Sequence, residues 1–369
     1  MFRTSGGRVL TVFVIAIILI LIFHNEQSAG TALLPFLPVL PSQQPSKATP
    51  EREAWLQERV ALSEKSWQKS VTLRDQMAAK HPDNPKIPFF PTDFMKYPYT
   101  IWDFFPATWT CPHDMQRVGR LGDGGKWVCG MSIYESIPAP KRLPENVETR
   151  DEDSQRSASE EAAAAQQGLV IYSFGINAES SFEAEMLARL PAARIWGYDF
   201  SVPGWGPQIA AQYRSRTFFQ KIGLGKKDEH DASPPFWTLP ALMQKNKHAY
   251  IDILKIDIEG SEYDALDTLM DAFEHAHGAS GTGVLPIGQV MIELHLGDGV
   301  HLDRKGAGTD VDFGRFRGWW ERLEKMGMRP AWMEMNLFAV TLGSKKSDPR
   351  CTEYVWVNAR DERSVLWKI

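Results

Sequence analysis

The stretch LKIDIEGSEYDAL, Leu254 to Leu266, decides how this chain folds. Alternate side chains of a strand share a face, so Leu254, Ile256 and Ile258 line one side while Lys255, Asp257 and Glu259 line the other. At Gly260 the alternation breaks into a helix-like run. An apolar strand that ends on two carboxylates and turns straight into a helix reads as one unit of a parallel α/β sheet, with its acids placed as a site.

The surrounding sequence repeats that alternation. LVIYSF (Leu169 to Phe174) reads as a first buried strand, followed by a helix over SSFEAEMLARL. ARIWGYDF is a second strand ending at Asp199, with GPQIAAQYRS read as helical, and TFFQKIGL is a third. LPALMQKN precedes the fourth strand, YIDILKID, and SEYDALDTLMDAFEHA follows it as a helix. GQVMIELHL is a fifth strand carrying Glu293 and His295; the helix FGRFRGWWERLEKMG then leads to RPAWMEMNLFAVTL and EYVWVNA. These runs predict an open, doubly wound α/β sheet of about seven strands, whose ligands bind outside the carboxyl ends of the strands.

Composition sets the wider frame. The chain has 369 residues, 43% of them hydrophobic, which suits one catalytic domain with appendages. A formal net charge of only −5 argues against nucleic acid as a partner. Residues 1–8, with Arg3 and Arg8, precede an uninterrupted apolar run at 9–23. That run is short against the roughly 20 residues of a full span, so a cleaved signal peptide competes with an uncleaved anchor. The poor cleavage site and the positive N-terminal flank favour a signal anchor, a single-pass type II membrane protein with its bulk facing the Golgi or endoplasmic reticulum lumen; cleavage and secretion is the lesser alternative.

Residues 24–95 read as a Pro-rich stem followed by an amphipathic stalk helix over 51–80. Residues 96–143 form an aromatic subdomain in which Asp123-Gly124-Gly125 marks a β-hairpin turn, either packed on the main domain or serving as a lid or recognition element. Residues 144–168 are a charged, Ala-rich insertion, and 169–369 hold the catalytic domain. Of the three cysteines, Cys111 and Cys129 suit a bridge in an oxidising lumen, with three reduced thiols as the alternative.

The strand-end rule gathers the candidate site. The first turn, SFGINAES, has Gly175 for close backbone approach and Asn177 for a turn conformation, but it lacks the GxGxxG fingerprint of pyrophosphate binders. Asp199, ending the second strand, stands where a carboxylate meets ribose hydroxyls; a structural turn aspartate is the other reading.

LKIDIEGSEYDAL resembles the fourth-strand signature of FkbM-type S-adenosylmethionine-dependent methyltransferases, and RVGRLGDGGKWVC, SFGINAESSFE, GLGKKD and MIELH together resemble the methyltransferase-like protein 24 group. The resemblance spans Trp109 to Asn358 and implies a class I methyltransferase, Rossmann-like fold with S-adenosylmethionine as cofactor. It places Phe174, Gly175 and Asn177 beside the methionine part, Asp199 as the second-strand acid, and Asp257 and Glu259 at the fourth-strand site. The turn departs from that family's first motif, GxNxG, because Ala178 replaces its second glycine; the added methyl is tolerated if the backbone angle there is negative.

Methyl transfer from a sulfonium needs alignment above all, and a hydroxyl acceptor must also lose a proton. Asp257, Glu259, Glu293 and His295 are the candidates. His295 is the first choice as base because its ordinary pKa lies near neutrality, against a structural histidine as the alternative. The same four residues could hold a divalent ion, which is not favoured. Lys255 is expected to pair with one of the acids, and Glu262 and Asp264 to lie at the solvated start of the next helix. Gly223 and Gly225 permit close approach after the third strand, Asp228 is a candidate contact for the adenine amine, and Trp205 could border the adenine. Trp319 and Trp320 are expected in the core.

The acceptor expected is a hydroxyl or carboxyl of a glycan or small molecule, oxygen being preferred because FkbM relatives are mainly O-methyltransferases. Two alternatives remain at this stage: a glycosyltransferase holding a metal and nucleotide sugar at Asp257-Ile258-Glu259, and a non-catalytic binding module on the same fold. Nothing in the sequence sets the oligomeric state.

Overall fold

A computed structural model of the chain describes residues 49–80, 98–140, 168–275, 283–296, 313–337, 349 and 351–368. The expected cytosolic tail at 1–8, anchor at 9–23, Pro-rich stem before residue 49 and nearly all of the 144–168 insertion lie outside the described residues. Among the described residues, no helix is long and apolar enough to cross a membrane.

Seven strands build the central sheet: β3 (Leu169–Phe174), β4 (Ala193–Tyr198), β5 (Thr217–Gln220), β8 (Ile251–Ile256), β9 (Ile287–His295), β10 (Met328–Met335) and β11 (Cys351–Asn358). Their spatial order is β10-β11-β9-β8-β3-β4-β5. β9, β8, β3, β4 and β5 are mutually parallel, and β11 runs antiparallel to both its neighbours. The chain winds outward from β3 through β4 to β5, then returns to lay β8 and β9 on the other side. The order therefore reverses between β3 and β8, and a crevice opens at their carboxyl ends.

Both faces of the sheet are covered, which is why β3 is buried at every position. On one face Tyr172, Leu254, Ile256 and Ile292 share a core with Leu242, Leu269 and Trp320, which come from α4 (Leu239–Asn246), α5 (Glu262–His275) and α6 (Phe313–Lys325). On the other, Ile171, Ile253 and Met291 meet α3 (Ser181–Arg189) through Phe182 and Met186, together with Val118 and Val128 of the hairpin. Trp319 and Trp320 are buried, as their helical spacing predicts.

The segment after β4 departs from expectation. GPQIAAQYRS is helical only as a short 3-10 turn, Ala211–Arg216. Just upstream, Trp205 packs over Gly197, with its ring 2.2 Å from where a Cβ on Gly197 would stand, so the chain stays close to β4 there. The third strand is also divided: β5 ends at Gln220, and Gly223–Leu224 (β6) pairs instead with Phe236–Trp237 (β7).

The aromatic segment is a hairpin of β1 (Met115–Val118) and β2 (Lys126–Cys129), paired from Met115↔Cys129 to Val118↔Lys126, followed by α2 (Met131–Glu135). It is packed on the main domain. The side chain of Gln289 on β9 accepts from the Cys129 N–H at 3.1 Å and donates to the Cys129 carbonyl at 3.0 Å. Trp127 packs on Trp332, ring centroids 4.6 Å apart. Cys111 and Cys129 form a disulfide, and Cys351 is a buried thiol.

The helix expected as an amphipathic stalk, α1 (Pro50–Lys80), is docked on the main domain. Ser63 donates to the Thr110 carbonyl at 2.9 Å, Trp67 donates to Glu324 at 2.8 Å, and Arg74 pairs with Glu324 at 2.6 Å. Arg74 and Glu324 are both buried, so the pair stands where a salt bridge is screened least. α1, the hairpin and the sheet belong to one compact unit.

Candidate active site

Gly175 ends β3 at φ 77°, and a Cβ there would stand 1.7 Å from the Asp257 carbonyl oxygen. Only glycine lets the first turn lie against the end of β8. The Asp257 N–H donates to the Phe174 carbonyl at 3.2 Å, and the Gly175 N–H donates to the Tyr198 carbonyl at 3.2 Å. Three strand ends are thereby drawn together. Asn177 and Ala178 follow at φ 42° and 58°, so Ala178 takes the left-handed conformation, and the condition of a negative angle for its methyl is not met.

That turn is held by Asp199. One carboxylate oxygen accepts from the N–H groups of Ile176 and Asn177 at 2.8 and 2.9 Å, and the other from the N–H and hydroxyl of Ser201 at 2.7 and 2.6 Å. Burial alone would raise the carboxyl's pKa, but these donors hold it below its usual range. Four bonds fill its acceptor capacity, so Asp199 braces the turn in this arrangement, and a ribose would have to displace Ser201. From beneath, Lys255 donates to the Gly175 carbonyl at 3.0 Å and pairs with Glu183 at 3.4 Å. It supports the turn; it is not a direct partner of the site acids.

The carboxyl ends of β8 and β9 and the amino end of the antiparallel β11 bring a second group together. Asp257 receives the Lys126 ammonium at 3.0 Å, the same ammonium donates to Glu353, and Glu293 stands 3.9 Å from it. Asn336 donates to the other Glu293 oxygen at 2.7 Å. Burial opposes charge on Lys126, yet Asp257, Glu353 and Glu293 outweigh it and raise its pKa. Asp257 is held far below the carboxylate range by Lys126, His295 and Lys255 against the effect of burial. Glu293 is pushed well up by burial and by the charges of Asp257 and Glu353, and burial raises Glu353 as well.

Next to it His295 presents Nδ1 to Glu262 at 2.8 Å and Nε2 to Glu259 at 3.4 Å. Burial would lower the imidazole's pKa, but Glu262 leads the groups that raise it well above the ordinary value. These surroundings favour the imidazolium, which accepts no proton, and this counts against His295 as the base. Glu262 is fully buried rather than solvated, and it also accepts from the N–H of Gly260 at 3.0 Å. Asp264 lies at the exposed helix start as expected, paired with Arg315 at 2.8 Å.

The remaining candidates are committed to local structure. The Phe174 ring stacks on Tyr198 within the core, centroids 4.8 Å apart, so only its backbone reaches the rim. Gly223 makes room for the Phe236 ring, and Asp228 accepts from the Thr238 N–H at 2.7 Å at the start of α4. Trp205 covers Gly197. Ligand atoms of Asp257, Glu259 and His295 lie within 4.8 Å of one another, as do those of Glu293, His295 and Cys351 and those of Asp123, Asp257 and Glu293.

Sequence reading missed Lys126, Glu353 and Glu262. For Lys126 a signal existed: in GGKWVC it alternates with the inward Val128, directly behind two glycines that give the strand room.

A family profile described as "Methyltransferase domain" matches residues 62–295. No curated protein matches the chain. Among solved structures, the chain resembles a fibrillarin pre-rRNA processing protein from Methanococcus jannaschii at 14% identity and TM-score 0.30, covering 68% of this chain and all of that one (100%). It also resembles the methyltransferase domain of a bacterial Hen1 at 12% identity and TM-score 0.28, over 56% of this chain and 97% of that one. A third is the N-terminal domain of EvdMO1, solved in the presence of SAH and D-fucose, at 13% identity and TM-score 0.27, over 61% of this chain and 93% of that one. Likenesses this distant carry no functional argument. The profile covers most of the sheet together with the hairpin and part of α1, and it displaces the glycosyltransferase alternative. The chain belongs to the methyltransferase-domain family and is an S-adenosylmethionine-dependent methyltransferase.

Proposed function

We propose that this enzyme methylates oxygen, and that its acceptor is a neutral hydroxyl on a small molecule or glycan. The observation that carries the reading is the charge at the strand ends. Asp257, Glu259, Glu293 and Glu353 gather there around Lys126 and His295. A carboxylate acceptor would meet like charge, whereas a hydroxyl can donate its hydrogen to a carboxylate oxygen. Glu259, with its side chain half exposed, and Asp257, with 18% exposure, are the acids a substrate can reach. Glu293 and His295 lie behind them, buried in surroundings that favour the protonated form of each.

The residues present suit the cofactor. The Gly175 turn gives a tight backbone rim over the switch point, and the acids beside it suit a cationic ligand. Gly175, Asn177, Asp199 and Asp257 would hold it, and when bound it supplies a methyl group on a sulfonium for in-line transfer. Asp199 keeps the turn in shape, Asp257 stays ionised beside it, and Glu259 is positioned to take the acceptor's proton.

The Cys111–Cys129 disulfide supports an oxidising compartment. With the apolar run at 9–23, it favours a type II, membrane-anchored enzyme acting on luminal or secreted acceptors.

The test is methyl transfer from labelled cofactor by the full chain to acceptors bearing hydroxyl or carboxyl groups. Label that survives mild alkali marks an ether and supports the reading. Label released as methanol marks an ester and overturns the hydroxyl assignment.

A further inference from the structure

The reading above gives Lys126 no role of its own beyond its charge, yet it is the most completely enclosed ammonium at the site. Its side chain is 1% exposed, and it enters from the hairpin, outside the central sheet. Three strands converge on it, with Asp257 from β8, Glu293 from β9 and Glu353 from β11. Leaving these three carboxyl groups together without a cation would be unfavourable, since Asp257 is held ionised among them, and a lone buried ammonium would be equally so. Each side of the contact therefore accounts for the other.

We propose that Lys126 is a positioning residue, a tethered cation that holds Asp257 and Glu353 at the cofactor rim and fills the place a divalent ion would otherwise take. This rests on the methyltransferase reading. Three observations support it. The ammonium already occupies the junction of the carboxylates, within 3.0 Å of Asp257. The cavity beside it, lined by Lys126, Trp127, Met291, Trp332 and Glu353 among others, has a volume of about 10 Å³. That is space for at most one water, so little solvent reaches the contact of the ammonium with Glu353 from that side. The strand that carries Lys126 is also fixed three residues later, where Cys129 is bonded to Cys111 and both its backbone groups are held by Gln289. A flexible lysine is thereby delivered at a set depth.

The other charged groups facing this junction are His295 and Lys255, which act on Asp257, Asp123 of the hairpin turn, and Glu334, which lines the same cavity and pairs with Arg117. None of them replaces Lys126, because Glu334 and Asp123 are acids, Lys255 is turned to Glu183, and His295 to Glu262.

The experiment is a calorimetric titration of the full chain with S-adenosylhomocysteine from pH 5.5 to 8.5, with EDTA or with manganese, for wild type, Lys126→Met and Lys126→Arg. Wild-type binding is expected to be indifferent to EDTA and manganese and flat with pH. Lys126→Met should bind at least tenfold more weakly at pH 8, recover toward acid pH as a carboxyl takes up a proton, and respond to manganese. Lys126→Arg should retain most of the affinity and the flat profile. Wild type that needs the metal overturns the proposal. So does Lys126→Met with unchanged affinity and pH profile. If Lys126→Met does not fold, the wild-type metal arm and the Lys126→Arg pH profile still decide. A wild type that binds no S-adenosylhomocysteine under any condition overturns the cofactor assignment instead.

Discussion

His295 and Glu262 are joined Nδ1 to Oε1 at 2.8 Å, with both side chains buried, and this pair sets the charge on the innermost histidine of the site. Burial works against the imidazolium, and Glu262 more than offsets it. Because the folded pKa lies above the ordinary 6.5, the pair's contribution to stability is complete below about pH 6.5 and is lost as pH rises through the folded value. Glu262→Gln should therefore lower the melting temperature most at pH 6 and least at alkaline pH. Melting curves across that range check it, and a pH-independent difference would show that the charge on His295 is not what Glu262 maintains.

Gly175 admits no side chain. At φ 77°, with the Asp257 carbonyl 1.7 Å from any Cβ, alanine must displace the end of β8 or abandon the turn. Gly175→Ala is expected to lose S-adenosylhomocysteine binding by more than tenfold and to melt earlier. Gly204→Ala, where nothing lies within 4 Å of the new methyl, should leave both nearly unchanged. Calorimetry and thermal melting on the two variants make the comparison.

Asp199 separates bracing from ligand contact. Asp199→Ala leaves the N–H groups of Ile176 and Asn177 without their acceptor, at about 1–3 kcal/mol for each that stays buried. Its folded pKa lies below the ordinary 3.8, so its contribution is present above that value and lost as pH falls through the folded one. Asp199→Asn keeps one oxygen for the turn and should retain more stability than Asp199→Ala at pH 7 while losing the acid-dependent part. Equal melting temperatures for the two at pH 7 would show that the turn does not depend on those two bonds.

The sheet was legible because burial on both faces forces uninterrupted apolar runs, and all seven runs became strands. Asp257 and Glu259 were visible because acids interrupt such a run only where it ends. The relationships that give the site its charge were not visible. Lys126 is 131 positions from Asp257 and meets it through a hairpin whose docking no local pattern encodes. Glu262 looked like a solvated helix acid because acids favour a helix start for reasons of dipole alone. The buried histidine beside it, 33 positions away, makes it something else. The helix expected after β4 is only a short 3-10 turn, and just before it Trp205 packs back over Gly197 of β4, a contact that local propensity does not encode.

His248 gives the fold an acid limit. It is buried against Tyr172, whose hydroxyl lies 2.8 Å from Nδ1, and its ring stands edge-on to Trp196 at 4.3 Å. Burial, with Arg194 adding to it, lowers its pKa to about 4. The unfolded chain takes up this proton below about pH 6.5, whereas the fold resists until about pH 4, so folding loses stability across that interval. A shift of this size corresponds to on the order of 3 kcal/mol once the interval is crossed. His248→Gln keeps an acceptor for Tyr172 without a titrating ring. It should cost some stability at pH 7.5 through poorer packing, yet show a shallower fall between pH 6.5 and 4 than wild type. Denaturant melts at several pH values read the slope directly, and parallel slopes would place the acid sensitivity elsewhere in the core.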